Sequence, residues 1–164
     1  MLRFDKHLTD AIRESGTSTL PLWRFLASQG MWVFIIASSA MIFLGMVSWF
    51  DLLIPVALTH LITLGVQLII RRPRPSTVDS SIHMWWQTPS FPSAHSAGSM
   101  AFAVALSAIS LQLGTVGVAL SIFFLALAVL IGLSRIMVGV HYLSDVFMGF
   151  LFGMIVSGMF LSVV

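Results

Sequence analysis

Five long apolar runs, separated by short polar clusters, set the pattern of this chain. They cover about 31–50, 52–70, 93–113, 116–137 and 141–164. A helix needs about 20 apolar residues to cross the hydrocarbon core of a bilayer, so each run predicts one membrane span. Pro73 and Pro75 end the second run, because proline lacks the backbone N–H and restricts the residue before it. Gly114 ends the third. Trp49, Phe50 and Asp51 predict a tight turn between the first two spans, with aromatic rings at headgroup level. Residues 1–28 are an interfacial segment. Leu2 to Glu14 predict a short amphipathic helix, Ser15-Gly16-Thr17-Ser18 break it, and Leu20 to Ser28 start a helical piece leading towards the first span. The expected architecture is all-α: a single domain over 1–164, built as a polytopic membrane bundle of about five transmembrane helices plus the N-terminal interfacial helix. The long loop is 76–92, with Trp85 and Trp86 anchoring it at the interface.

Composition agrees with a bilayer setting. The chain is 58% hydrophobic and 9% charged, against about 25% charged in soluble domains, and its mean hydropathy is +1.01. A net charge of +2 is too small to suggest nucleic acid as a partner. With no cysteine there is neither a disulfide nor a thiolate metal site. Residues 1–28 lack the continuous apolar core of a cleavable signal peptide. Small residues four apart, Ala94 with Gly98 and Gly149 with Gly153, suit close helix packing.

The polar clusters carry the candidate chemistry. Five spans put the end of the second, the start of the third, the end of the fourth and the start of the fifth on one membrane face. Gln67, Arg71 and Arg74 share a helical face if the second helix continues that far, and guanidinium groups suit phosphate oxygens. Pro92-Ser93-Ala94-His95 reads as a loop feeding a helix, whose unpaired first-turn N–H groups form an anion cradle. His95 in that turn suits proton donation to a leaving oxygen. His141 and Asp145 are four apart; the carboxylate can accept from one imidazole nitrogen and leave the other free as nucleophile or base. Ser134-Arg135 adds a further cation. An oxyanion clamp, a nucleophile and an acid are the parts that phosphoryl transfer requires. Asp79 and Asp145 are too few carboxylates for a two-metal cage, so no metal or other cofactor is expected.

Taken in order, Arg74-Pro75, Pro92-Ser93-Ala94-His95 and Ser134-Arg135 with His141 and Asp145 resemble the signature of the type 2 phosphatidic acid phosphatase superfamily of membrane lipid phosphatases. The resemblance spans about Gln67 to Asp145. It implies metal-independent hydrolysis of a lipid phosphate or diphosphate (undecaprenyl diphosphate, phosphatidylglycerophosphate or phosphatidic acid) through a phosphohistidine. His141 would be the nucleophile, Asp145 its orienting partner and His95 the acid. Arg74, Arg135 and Ser93 would hold the phosphate, with Ala94 standing where the family usually has glycine. Gln67 replaces the usual lysine, and Arg71 or Arg72 is the candidate to compensate. The family also implies a multi-pass protein of the cell membrane with an extracytoplasmic site. Arg3, Lys6, Arg13, Arg24, Arg71, Arg72, Arg74 and Arg135 all fall on the site's side, and the positive-inside tendency alone would put that side in the cytoplasm. A lipid phosphotransferase using the same site, or a non-catalytic lipid-phosphate carrier, are the alternatives.

Overall fold

The computed structural model describes residues 2–75 and 88–163. Among them are six α-helices and no strand: α1 (Leu2–Ser15), α2 (Leu20–Phe43), α3 (Trp49–Ile70), α4 (Ala94–Ser110), α5 (Thr115–Met137) and α6 (Leu143–Val163). Short 3-10 turns sit at Thr17–Thr19 and Leu111–Leu113. Five helices are long and apolar enough to cross a membrane, α4 together with its 3-10 extension counting as one. The chain is a multi-pass membrane protein. Trp85, Trp86, Asp79 and His83 lie outside the described residues.

The first span differs from the sequence expectation of 31–50: it begins eleven residues earlier, at Leu20, and ends at Phe43. Pro21 lies in its first turn, where a missing N–H costs nothing. Arg24, Ser28 and Gln29 interrupt the apolar run without interrupting the helical ladder. At the other end Gly45 adopts φ +67°. The Gly45 N–H bonds Ile42 O at 3.0 Å and the Met46 N–H bonds Met41 O at 2.9 Å, the paired bonds of a Schellman stop. The turn therefore lies at 44–48, not at Trp49-Phe50-Asp51. Ser48 caps α3, accepting from the Phe50 N–H at 3.2 Å.

α4 is the central helix. Two thirds of its apolar window (67%) is buried, against 22–39% in the other four spans, so lipid meets those four and α4 meets protein. Its small residues permit this. A Cβ on Gly149 of α6 would stand 2.6 Å from the Ser93 carbonyl oxygen, and one on Gly153 would stand 2.9 Å from the Ala101 nitrogen. Glycine at both positions lets the two backbones touch. Gly98 of α4 gives its space to the His60 ring of α3. Phe34 of α2 stacks on Phe102 at 5.8 Å and tilts against Phe124 at 6.0 Å.

α1 is amphipathic with its faces assigned in an unusual way. Phe4 and Leu8 are exposed, as suits a helix at the lipid interface. Asp5 and Thr9, one turn apart on another face, bond to the start of α6.

Candidate active site

The C-terminal stop of α5 shapes the site. Gly139 takes φ +73°, a conformation costly for any residue with a Cβ. Its N–H bonds Ile136 O at 2.9 Å, and the Val140 and His141 N–H groups bond Arg135 O at 3.1 and 3.3 Å. The chain thus folds back over the end of α5 and sets His141 beside it. His141 precedes α6 rather than lying on it, and Asp145 occupies the first turn. Asp145 Oδ2 accepts the Tyr142 N–H at 2.9 Å, the back-reaching half of a capping box.

The tautomer of His141 is set by partners whose roles are fixed. Nδ1 lies 2.8 Å from the Ser90 carbonyl oxygen, which can only accept, so Nδ1 carries the proton. Nε2 lies 3.2 Å from Arg74 Nη1, which can only donate. The neutral ring therefore presents its lone pair on Nε2, towards a guanidinium. The sequence pointed to Asp145 as the orienting acceptor. In the structure Asp145 Oδ2 stands 3.5 Å from Nδ1, because its oxygens are committed to Tyr142 N–H and to Arg72 Nη1 at 2.7 Å. Ser90 is the nearer partner. A backbone carbonyl carries no side-chain signature, so no sequence signal could have found it.

Burial lowers the His141 pKa to about 4. The Asp145 carboxylate 3.5 Å away opposes that fall, and the charges of Arg135 and Arg74 add to it. The ring is neutral at physiological pH.

Arg74 follows α3 and is clamped by Thr88: Nε donates to Thr88 O at 2.9 Å and Nη2 to Thr88 Oγ1 at 3.2 Å. Its Nη1 also donates to Val140 O at 3.0 Å. Burial lowers its pKa, partly offset by Asp145, yet a guanidinium stays charged. Arg135 is buried. Its Nη1 donates to Ala27 O of α2 at 2.8 Å, and its Nε is buried without a partner among the described residues. A buried donor of this kind is costly unless something accepts from it.

Ser93 caps α4: its Oγ accepts from Ser96 Oγ at 2.9 Å and, weakly, from the Ser96 N–H at 3.4 Å. Its own N–H bonds Asp145 O at 2.9 Å, joining the start of α4 to the start of α6. The Ala94 and His95 amides then stand ahead of the helical ladder. His95 lies within electrostatic reach of Arg135, His141, His60 and Arg74.

Two candidates sit elsewhere than expected. α3 stops at Ile70 and Arg71 takes a left-handed φ of +50°. The shared face expected of Gln67, Arg71 and Arg74 therefore ends before it reaches the arginines. Arg71 is exposed and its Nε bonds Leu68 O of its own helix at 2.9 Å, outside the cluster. Gln67 is buried and donates Nε2 to Pro92 O at 2.8 Å, bracing the loop into α4. Arg72 joins Asp145, Ser144 and Asp5, a set the sequence reading missed. An acidic residue on an interfacial helix opposite a surplus of arginines was the one signal for it.

The model of the PAP2 superfamily matches residues 48–164. The structure of LpxE from Aquifex aeolicus superposes with a TM-score of 0.75 at 22% identity, covering 95% of this chain and 93% of that one. The transmembrane PAP2-type phosphatidylglycerolphosphate phosphatase of Bacillus subtilis superposes at 0.73, also at 22% identity, covering 96% and 84%. No curated protein sequence matches significantly.

Proposed function

We propose that this chain, which belongs to the PAP2 superfamily and is a membrane lipid phosphatase of that family, releases phosphate from a lipid phosphate or diphosphate through a phosphohistidine on His141. The observation that carries this reading is the fixed tautomer. Nδ1–H is spent on Ser90 O, and the Nε2 lone pair of the buried ring is held beside Arg74.

In the first step Nε2 attacks phosphorus, the bond from phosphorus to the lipid oxygen breaks, and His95 gives that oxygen its proton. The imidazole becomes a phosphoimidazolium, with its positive charge facing Asp145 and the Ser90 carbonyl. Arg74, Arg135 and the first-turn amides behind Ser93 take the charge on the non-bridging oxygens. In the second step water attacks the phosphohistidine and loses a proton to His95. The N–P bond breaks, and inorganic phosphate leaves with His141 neutral again. These residues supply nucleophile, acid and charge clamp without a metal. The test is a panel of phosphatidic acid, phosphatidylglycerophosphate and undecaprenyl diphosphate in mixed micelles containing a chelator. Phosphate release from at least one lipid, lost in His141→Ala, is expected; full release by that variant contradicts the assignment.

The site belongs on the extracytoplasmic face in this reading, the family's usual setting. Because the chain has no cysteine, Ser18→Cys beside the start of α2 reports the side directly. A membrane-impermeant maleimide labels it in intact cells if the site faces out, and only after lysis if it faces in.

A further inference from the structure

The start of α6 is capped by another helix. A helix leaves its first N–H groups without intrahelical partners, and here α1 supplies two of the acceptors. Thr9 Oγ1 accepts the Leu143 N–H at 3.0 Å, and Asp5 Oδ1 accepts the Ser144 N–H at 3.1 Å. Asp145 covers Tyr142 from within. Asp5 does more than cap. Its Oδ2 pairs with Arg72 Nη2 at 2.7 Å and accepts from Ser144 Oγ. Arg72 Nη1 in turn reaches Ser144 Oγ at 2.6 Å and Asp145 Oδ1 at 2.7 Å. The guanidinium lies 4.1 Å above the Tyr142 ring, which completes its enclosure. Hydrogen bonds from Ser144 and Arg72 outweigh the effect of burial and lower the Asp5 pKa, so it is a carboxylate at neutral pH.

From this chain of contacts we infer that Asp5 is a positioning residue for the His141 nucleophile, acting through Arg72 and Asp145. The charge arithmetic gives it a task. Arg72 alone would neutralise Asp145, the one carboxylate among the described residues that faces the imidazole. With Asp5 on its other edge, Arg72 is shared between two carboxylates, and the trio keeps a net negative charge beside His141. Among the described residues, the other charged or titratable groups acting on the ring are Arg74 after α3 and Arg135 on α5, with His95 on α4 also in reach, and none of them is acidic. The phosphoimidazolium formed in the first step depends on that negative charge. Asp5 and Thr9 precede the segment that matches the family, 48–164, so this support comes from α1, outside the matched core.

The role of Asp5 rests on His141 being the nucleophile, and the experiment separates the two. Wild type, Asp5→Asn, Asp5→Ala, Asp5→Glu and the same-helix control Asp10→Asn are purified in detergent and checked for monodispersity. Steady-state rates are measured on the preferred lipid of the panel, and phosphoenzyme formation is measured in single turnovers with labelled lipid. Displacing a reacting group by about 1 Å can cost about a hundredfold, so Asp5→Asn is expected to lose about ten- to a hundredfold in kcat and in the rate of phosphoenzyme formation. KM stays near the wild-type value, Asp5→Glu recovers most of the loss, and Asp10→Asn stays at the wild-type rate. Wild-type kcat in Asp5→Asn overturns the inference. So does a loss that comes only from fewer competent molecules, seen as reduced phosphoenzyme stoichiometry at an unchanged rate per site. If Asp5→Ala does not fold, Asp5→Asn and Asp5→Glu still decide the matter. A wild type that hydrolyses lipid without a phosphohistidine refutes the nucleophile assignment itself, a result distinct from an unaffected Asp5→Asn.

Discussion

Replacing His141 by asparagine should remove a specific pH dependence from the stability of the protein. The imidazole is 2% exposed, and its pKa falls from 6.5 to about 4 in the folded protein. The sign follows from proton counting. Between pH 6.5 and about 4 the unfolded chain binds a proton on this histidine and the folded chain does not, so wild-type stability falls as pH drops through that window. At about 1.4 kcal/mol per pH unit, the full loss is about 3 kcal/mol. Above pH 6.5 both states are neutral and the contribution is constant. For a chain of this size each kcal/mol corresponds to roughly 2–4 °C in Tm, so the wild type loses about 6–12 °C that the variant keeps. Thermal unfolding of wild type and His141→Asn in the same detergent, from pH 7 to pH 4, isolates the effect by difference. Every other titrating group is common to both proteins. Parallel pH profiles refute the reasoning, because they mean that the ring gains its proton as easily folded as unfolded. The kinetic counterpart is an acid limb of lipid hydrolysis near pH 4 rather than near 6.5, since only the neutral ring attacks.

Two backbone predictions follow from glycines that the structure uses. Gly139→Ala forces a Cβ into a left-handed conformation at a cost of about 1–2 kcal/mol. Because Val140 O holds Arg74 and His141 comes next, kcat/KM should fall alongside Tm; an unchanged kcat/KM contradicts the link between that turn and the site. Gly149→Ala sets a Cβ 2.6 Å from Ser93 O; the helices must part, at about 1–3 kcal/mol, and activity drops with them. Gly65→Ala, where nothing lies within 4 Å, should leave both Tm and activity at or above wild type in the same assays.

The spans were legible because a bilayer demands long apolar helices, and few other segments satisfy that demand. The convergence of Arg74, Ser93, Arg135, His141 and Asp145 was legible for a related reason: two crossings, α4 away and α5 back, return the chain to the face it left. What stayed hidden depends on backbone detail and on pairing between distant segments. Nothing in the residue pattern between Gln67 and Arg74 showed that α3 would stop at Ile70 with Arg71 turned left-handed. The early start of α2 was masked by Arg24, Ser28 and Gln29, which lower local hydropathy but do not stop a helix. The bond from Asp5 to Ser144 joins residues far apart in the chain. Periodicity reports which faces a helix has, not which helix meets them.

The central claim is that Nε2 of His141 forms the covalent bond to phosphorus. Rapid acid-free quenching of the enzyme with labelled lipid phosphate, followed by proteolysis and mass spectrometry, tests it most directly. The expected result is a single phosphorylated peptide carrying an acid-labile, base-stable phosphate on His141, absent from His141→Asn. Turnover at the full rate with no label on any histidine, or with label retained in the variant, would contradict it.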